Sequence, residues 1–150
     1  MASRDYLIRQ IEEMGVFLAI LLRRILKMKE ENQLEQMESV VKQELLQELK
    51  LDIDQIIVLE NEDFLEVIRE KLTSEDQIEK MAEVLRILGM EKQSSILPTK
   101  ANYLLKSMFL FVHLQQNSKV FSYERRIKIL ELQEIIGRKE LGNIEDIQNG

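Results

Sequence analysis

The chain of 150 residues has no cysteine, no tryptophan, one proline, one histidine and five glycines. Without cysteine there is no disulfide framework and no thiol chemistry, which is the pattern expected of a cytoplasmic protein. With so little glycine and proline against abundant Leu, Ile, Glu, Lys and Gln, helix is favoured in almost every window, and no alternating strand pattern competes with it. The expected fold class is all-α, a single domain over residues 1–150 with about six helices and a tail that frays from about residue 140. A chain of this length buries about two thirds of its unfolded surface, so the core needs no covalent staple.

A long hydrophobic run is also missing. The longest one around the first helix is Val16–Leu22, and it stops at Arg23-Arg24. A membrane span needs roughly 20 apolar residues. A secretory signal needs a basic start without acids, whereas Asp5, Glu12 and Glu13 charge the preceding turns. Neither is expected here.

Charge is unevenly placed. The net charge is −6, but residues 1–29 carry +3, residues 30–97 carry −11 and residues 98–150 carry +2. An acidic middle between basic ends is read first as intramolecular attraction. The overall acidity argues against nucleic-acid binding, which depends on neutralising phosphates.

The stretch Asp5–Met28 is the most informative in the chain. Apolar residues recur at Tyr6, Leu7, Ile11, Met14, Leu18, Leu21, Leu22, Ile25 and Leu26, the spacing of one helix face. Over Val16–Leu22 no polar face remains, and a helix that is apolar all round is expected to be buried. Ser3 is the expected cap of this helix, and Arg23, Arg24, Lys27 and Lys29 suit its C-terminal end.

A second helix is expected after Glu30 or Glu31, with Leu34, Met37, Val41, Leu45 and Leu49 inward and an acidic face beside the basic end of the first. Asp52 or Asp54 is expected to cap a short helix in residues 51–59, and Asn61 a third main helix with Phe64, Leu65, Ile68 and Leu72 inward. Ser74 and Gln77 have the form of a capping box for a fourth helix, Glu75–Leu88, with Gly89 as its left-handed stop. After a loop over Met90–Leu97, Pro98 opens a fifth helix to about Gln116 with Ala101, Leu104, Leu105, Met108, Phe109 and Val112 inward. A sixth runs from about Val120 or Ser122 to Ile136, with Tyr123, Ile127, Leu130, Leu132 and Ile136 inward and Gly137 as its weak point.

No constellation points to catalysis. His113 has no second imidazole or thiol to work with, and it reads as a histidine at the edge of the core. Asp52-x-Asp54 starts like a calcium loop, but Ile56 and Ile57 stand where that loop needs an oxygen ligand and a glycine. Arg125-Arg126-x-Lys128 could suit a nucleic-acid recognition helix, and it is read instead as a solvated charged face. The seven methionines fall mainly at core spacing. No catalytic residue, metal ligand or cofactor is expected.

Asp5-Tyr-Leu-Ile-Arg-Gln-Ile-Glu-Glu-Met-Gly15, followed by Phe17-Leu-Ala, then Leu51-Asp-Ile-Asp and Leu59-x-x-Glu-Asp-Phe-Leu65, resembles an uncharacterised family of small bacterial all-helical proteins over residues 5–70. The resemblance implies no activity. The second half is similar to a tetratricopeptide-like helical hairpin, with Ala82 to Leu88-Gly89 ending one helix and Ala101 to Phe109 in the next. It departs from that repeat in having no Trp, no second copy and a longer connection. The implied arrangement is antiparallel packing of the last three helices.

The function expected from these features is a non-enzymatic helical interaction or scaffold module whose partner is another protein or a second copy of itself. Its candidate face is Phe17, Ile20, Leu21, Arg23 and Arg24, with a homodimer through the first helix as one outcome. The alternatives are peripheral membrane association through that helix and a small-ligand-binding helical protein.

Overall fold

A computed structural model describes the backbone of residues 2–90 and 98–149 and the side chains of residues 4–90 and 100–138. The described residues form seven helices and no strand: α1 Ala2–Glu30, α2 Leu34–Leu49, α3 Ile53–Ile56, α4 Asn61–Lys71, α5 Glu75–Met90, α6 Pro98–Asn117 and α7 Tyr123–Asn149. The fold is all-α, as composition requires. The short helix after α2 forms as expected, with Asp52 Oδ1 accepting from the Asp54 N–H at 3.2 Å. Most of the loop expected at Met90–Leu97 lies outside the described residues.

Several helix ends differ from their expected places. Ser3 lies within α1, which starts at Ala2. Asn61 is the first residue of α4, after Glu60, and its side chain does not cap: it accepts from Lys106 Nζ at 2.8 Å instead. Gly89 is not a left-handed stop. α5 runs through it to Met90, and no described glycine has a positive φ. Gly137 interrupts nothing, since α7 continues to Asn149 through the tail expected to fray.

The helix buried on nearly every side is α5, not α1. Ile78, Met81, Ala82, Val84, Leu85, Ile87, Leu88 and Gly89 are all buried, because α5 lies between α1 and the antiparallel pair α6 and α7. The α5–α6 hairpin is tight: Ser107 Oγ donates to the Ala82 carbonyl at 2.7 Å within a fully buried contact. α6 runs antiparallel to both α5 and α7, which therefore run parallel to each other. The inward face of α6 is turned from its expected position, with Tyr103, Leu104, Leu110, Phe111 and Leu114 buried and Leu105 exposed. Neighbours on several sides decide that rotation, and hydrophobic spacing alone does not encode it.

By contrast, α1 is an edge helix that packs mainly on α2 and α5. Leu18, Leu21, Ile25 and Met28 enter the core. Val16 and Ile20, on the opposite side, are 58% and 56% exposed, so the expectation of all-round burial fails: among the described residues nothing covers that side. Gln77 ties the two helices α1 and α5 together. Its backbone N–H donates to Ser74 Oγ at 3.1 Å, its Oε1 accepts from the Thr73 N–H at 3.1 Å, and its Nε2 reaches the Ile11 carbonyl at 2.8 Å. The expected capping box therefore also fastens α1, with Thr73 rather than the cap residue supplying the reciprocal bond.

Candidate functional site

The basic ends and the acidic middle meet inside the chain. Arg24 of α1 pairs with Glu44 of α2 at 3.2 Å. Between α5 and α7 the pairing is denser: Arg125 grips Glu79 with Nε and Nη2 at 3.2 and 2.8 Å, and its Nη1 donates to Gln115 Oε1 at 3.0 Å. Further along, Lys128 meets Glu83 at 3.0 Å and Arg86 approaches Glu131 at 3.6 Å. Burial disfavours the Glu83 carboxylate, but Arg86 and Lys128 outweigh it and hold its pKa below the ordinary value. Arg125 and Lys128 consequently belong to an internal seam. The expected solvated face keeps only Arg126 fully outside.

His113 sits half-buried on α6, with Phe109 stacked beside it at 6.4 Å between ring centroids. Arg69 Nη2 lies 2.9 Å from its Nε2, and Asn117 Nδ2 donates to the His113 carbonyl at 2.8 Å. A guanidinium can only donate, so Nε2 is the acceptor in this contact. Burial and then the Arg69 charge both push the His113 pKa down. The Arg69 contact ties α4 to α6 through the His113 ring.

Asp52 and Asp54 line an open groove with Glu35, Glu38 and Lys42. Lys42 bridges Glu38 and Asp54, both at 3.0 Å, so the two aspartates are used as a cap and a salt bridge. Burial works against the Lys42 charge, and the two carboxylates prevail, leaving its pKa raised. Among the described residues, no group of three or more His, Asp or Glu side chains could hold a metal ion, and no helix is long and apolar enough to cross a membrane.

What stands out at the surface is apolar. Of the candidate face on α1, Leu21 is 2% exposed and belongs to the core, Phe17 is half-buried, and Ile20, Arg23 and Arg24 face outward. Val16 and Ile20 therefore form a small outer strip. A larger one lies on α7, where Tyr123, Ile127 and Leu130, all expected inward, are exposed together with Val120 and Phe121 from the preceding turn. Phe121 and Tyr123 meet edge to face at 5.1 Å. The inner side of α7 is taken by Arg125 and Leu132 instead, because the polar seam with α5 sets its rotation. The first turns of α1 add Tyr6, Leu7, Ile8 and Ile11. Sequence periodicity located these residues on helix faces, but it cannot distinguish a face with a neighbour from one without.

No family model matches the chain, and neither a curated protein nor a solved structure matches it.

Proposed function

We propose that this protein is a non-enzymatic helical interaction module that binds another protein chain. The observation that carries the reading is the strip of Tyr123, Ile127 and Leu130 on the outer side of α7, with Val120 and Phe121 exposed in the turn before it, while the other side of the helix is committed to the core. The exposed parts of these five residues come to about the few hundred Å² of the largest apolar patch on a monomer, the patch that is often functional. The Phe121–Tyr123 pair stands at one end of it, and aromatic side chains are among those that anchor protein interfaces. The antiparallel α5–α6 hairpin supports a tetratricopeptide-like reading of this half of the chain.

Peripheral membrane association ranks below it. Surface-seeking helices insert a broad apolar face, and that of α1 is spent in the core through Leu18, Leu21, Ile25 and Met28.

The test is affinity capture from the source cell with the wild type and with Tyr123→Glu/Ile127→Glu, both checked for helix content. A protein retained by the wild type and lost with the variant is the expected result. An identical set retained by both, or turnover of a metabolite abolished by a point mutation, would overturn the proposal.

A further inference from the structure

A cavity of about 470 Å³ opens where the end of α4, the head of α5 and the last turns of α6 meet, and no residue of the α7 strip lines it. Its size falls within the range of about 300–1,000 Å³ typical of small-molecule sites. The apolar part of its lining is Leu72, Ile78 and Leu114, three side chains that otherwise belong to the core. One cation and one anion, Arg69 and Glu75, line it as well. Both are exposed, and among the described residues neither has an ion-pair partner.

Other polar groups around the cavity are engaged within the protein. The Thr73 N–H donates to Gln77 Oε1, Ser74 Oγ accepts from the Gln77 N–H, and Asn117 Nδ2 donates to the His113 carbonyl. His113 Nε2 accepts from Arg69 Nη2 at 2.9 Å, which holds the guanidinium beside the cavity and leaves its other N–H groups without a partner among the described residues. Two unpaired charges of opposite sign over one apolar floor limit what can bind. A simple carboxylic acid satisfies Arg69 but meets the Glu75 carboxylate, and Glu66 and Glu70, which share the neighbouring groove with Arg69, add to that repulsion. An amine suits Glu75 and is repelled by Arg69. A wholly apolar ligand covers both charges and pairs neither.

We infer that this cavity binds a free amino acid with an aliphatic side chain, its carboxylate on Arg69, its ammonium on Glu75 and its side chain against Leu72, Ile78 and Leu114. In an α-amino acid both charges sit on one carbon, so one end of the ligand meets both charged side chains and the other end is left for the apolar floor. The planar fork of the guanidinium matches a carboxylate with two parallel N–H donors, and the contact to His113 presets its position before the ligand arrives. The site is independent of the α7 strip, and loss of either leaves the other intact.

The test is a titration with leucine, isoleucine and valine, followed by NMR at the ring of His113, the only histidine in the chain, and at the backbone amides around it. At least one of the three is expected to bind saturably with a dissociation constant below about 1 mM. With leucine as the example, N-acetylleucine lacks the ammonium and leucinamide lacks the carboxylate, and each is expected to bind about ten-fold or more weakly for the loss of one charge-assisted contact. Glycine, without the side chain, should also fall behind. Two variants at exposed positions, checked for helix content, assign the charges. Arg69→Gln should no longer distinguish leucine from leucinamide, and Glu75→Gln should no longer distinguish leucine from N-acetylleucine, while each keeps the other discrimination. Binding of all three amino acids weaker than about 1 mM would sink the inference. So would an analogue lacking one charge that binds as tightly as its parent, inorganic phosphate that does the same, or variants that retain both discriminations.

Discussion

Leu104 occupies the space that a side chain at Gly89 would need: a Cβ there would stand 2.6 Å from Leu104 Cδ2, 2.7 Å from its Cγ and 3.1 Å from its backbone N. This close approach sets the distance between α5 and α6, and it explains why a helix interior tolerates a residue that costs about 1 kcal/mol against alanine. Leu104 is fully buried and has nowhere to retreat. Gly89→Ala is therefore expected to destabilise by about 1–3 kcal/mol despite the gain in helix propensity. Gly15 and Gly137 meet nothing within 4 Å, so alanine at either should stabilise by up to about 1 kcal/mol. Urea melts of the three variants would show opposite signs, and a stabilised Gly89→Ala would refute the close-packing argument.

Arg125 is the most committed cation of the α5–α7 seam, with 7% of its side chain exposed and three donors engaged. Arg125→Ala leaves Glu79 without its donor and Gln115 Oε1 with only the Ser122 N–H at 3.4 Å, at a cost of up to about 3–5 kcal/mol, reduced by the part of Glu79 that reaches water. Arg126→Ala, one residue on and exposed, should change stability by less than about 0.5 kcal/mol. Equal effects in denaturant titrations would show the seam to be ornamental.

Stability should fall at mildly acid pH because of His113. Its folded-state pKa lies below the ordinary 6.5, so just below that value the unfolded chain binds a proton that the native chain refuses. Stability is then greatest above about pH 6.5 and declines as pH drops through the window between the unfolded and folded values. The carboxylates add their own slope at lower pH, so the measurement is the difference between wild type and His113→Gln in melting temperature across about pH 5 to 7.5. A difference independent of pH would contradict the Arg69–His113 contact.

Tyr103 works at the other end of the scale. Burial, with the Glu38 carboxylate 3.1 Å from its hydroxyl, raises its pKa well above the ordinary phenol value. The unfolded phenol ionises first, so stability drops as pH rises past about 10, and the drop should be smaller in Tyr103→Phe. Ultraviolet titration of the folded protein should find Tyr103 silent until unfolding.

Leu21 and Ile20 are adjacent in the chain and opposite in fate. Leu21→Ala should cost about 2–5 kcal/mol, as for a filled core position, and Ile20→Glu less than about 0.5 kcal/mol. Were Ile20→Glu to unfold the protein, α1 would have a neighbour on its outer side.

The sequence by itself determined that this protein is helical, because local propensity, capping and periodicity act over a few residues and are written there. Asp52 as a cap, Ser74 with Gln77 at the head of α5, and the inward stripe Met37, Val41, Leu45 and Leu49 of α2 were all legible for that reason. The attraction between basic ends and acidic middle was legible as a sum of charges, but its partners, Arg24 with Glu44 and Arg125 with Glu79, were not. Only the tertiary structure decided which helix is central, since burial depends on how many neighbours an element has: α5 has them on nearly all sides, and α1, the more apolar in its middle, lies at the edge. The same rule governs the candidate surfaces. Tyr123, Ile127 and Leu130 fall at core spacing, as Leu18, Leu21 and Ile25 do, and they face solvent because Arg125, Ile129 and Leu132 take the inner side of α7.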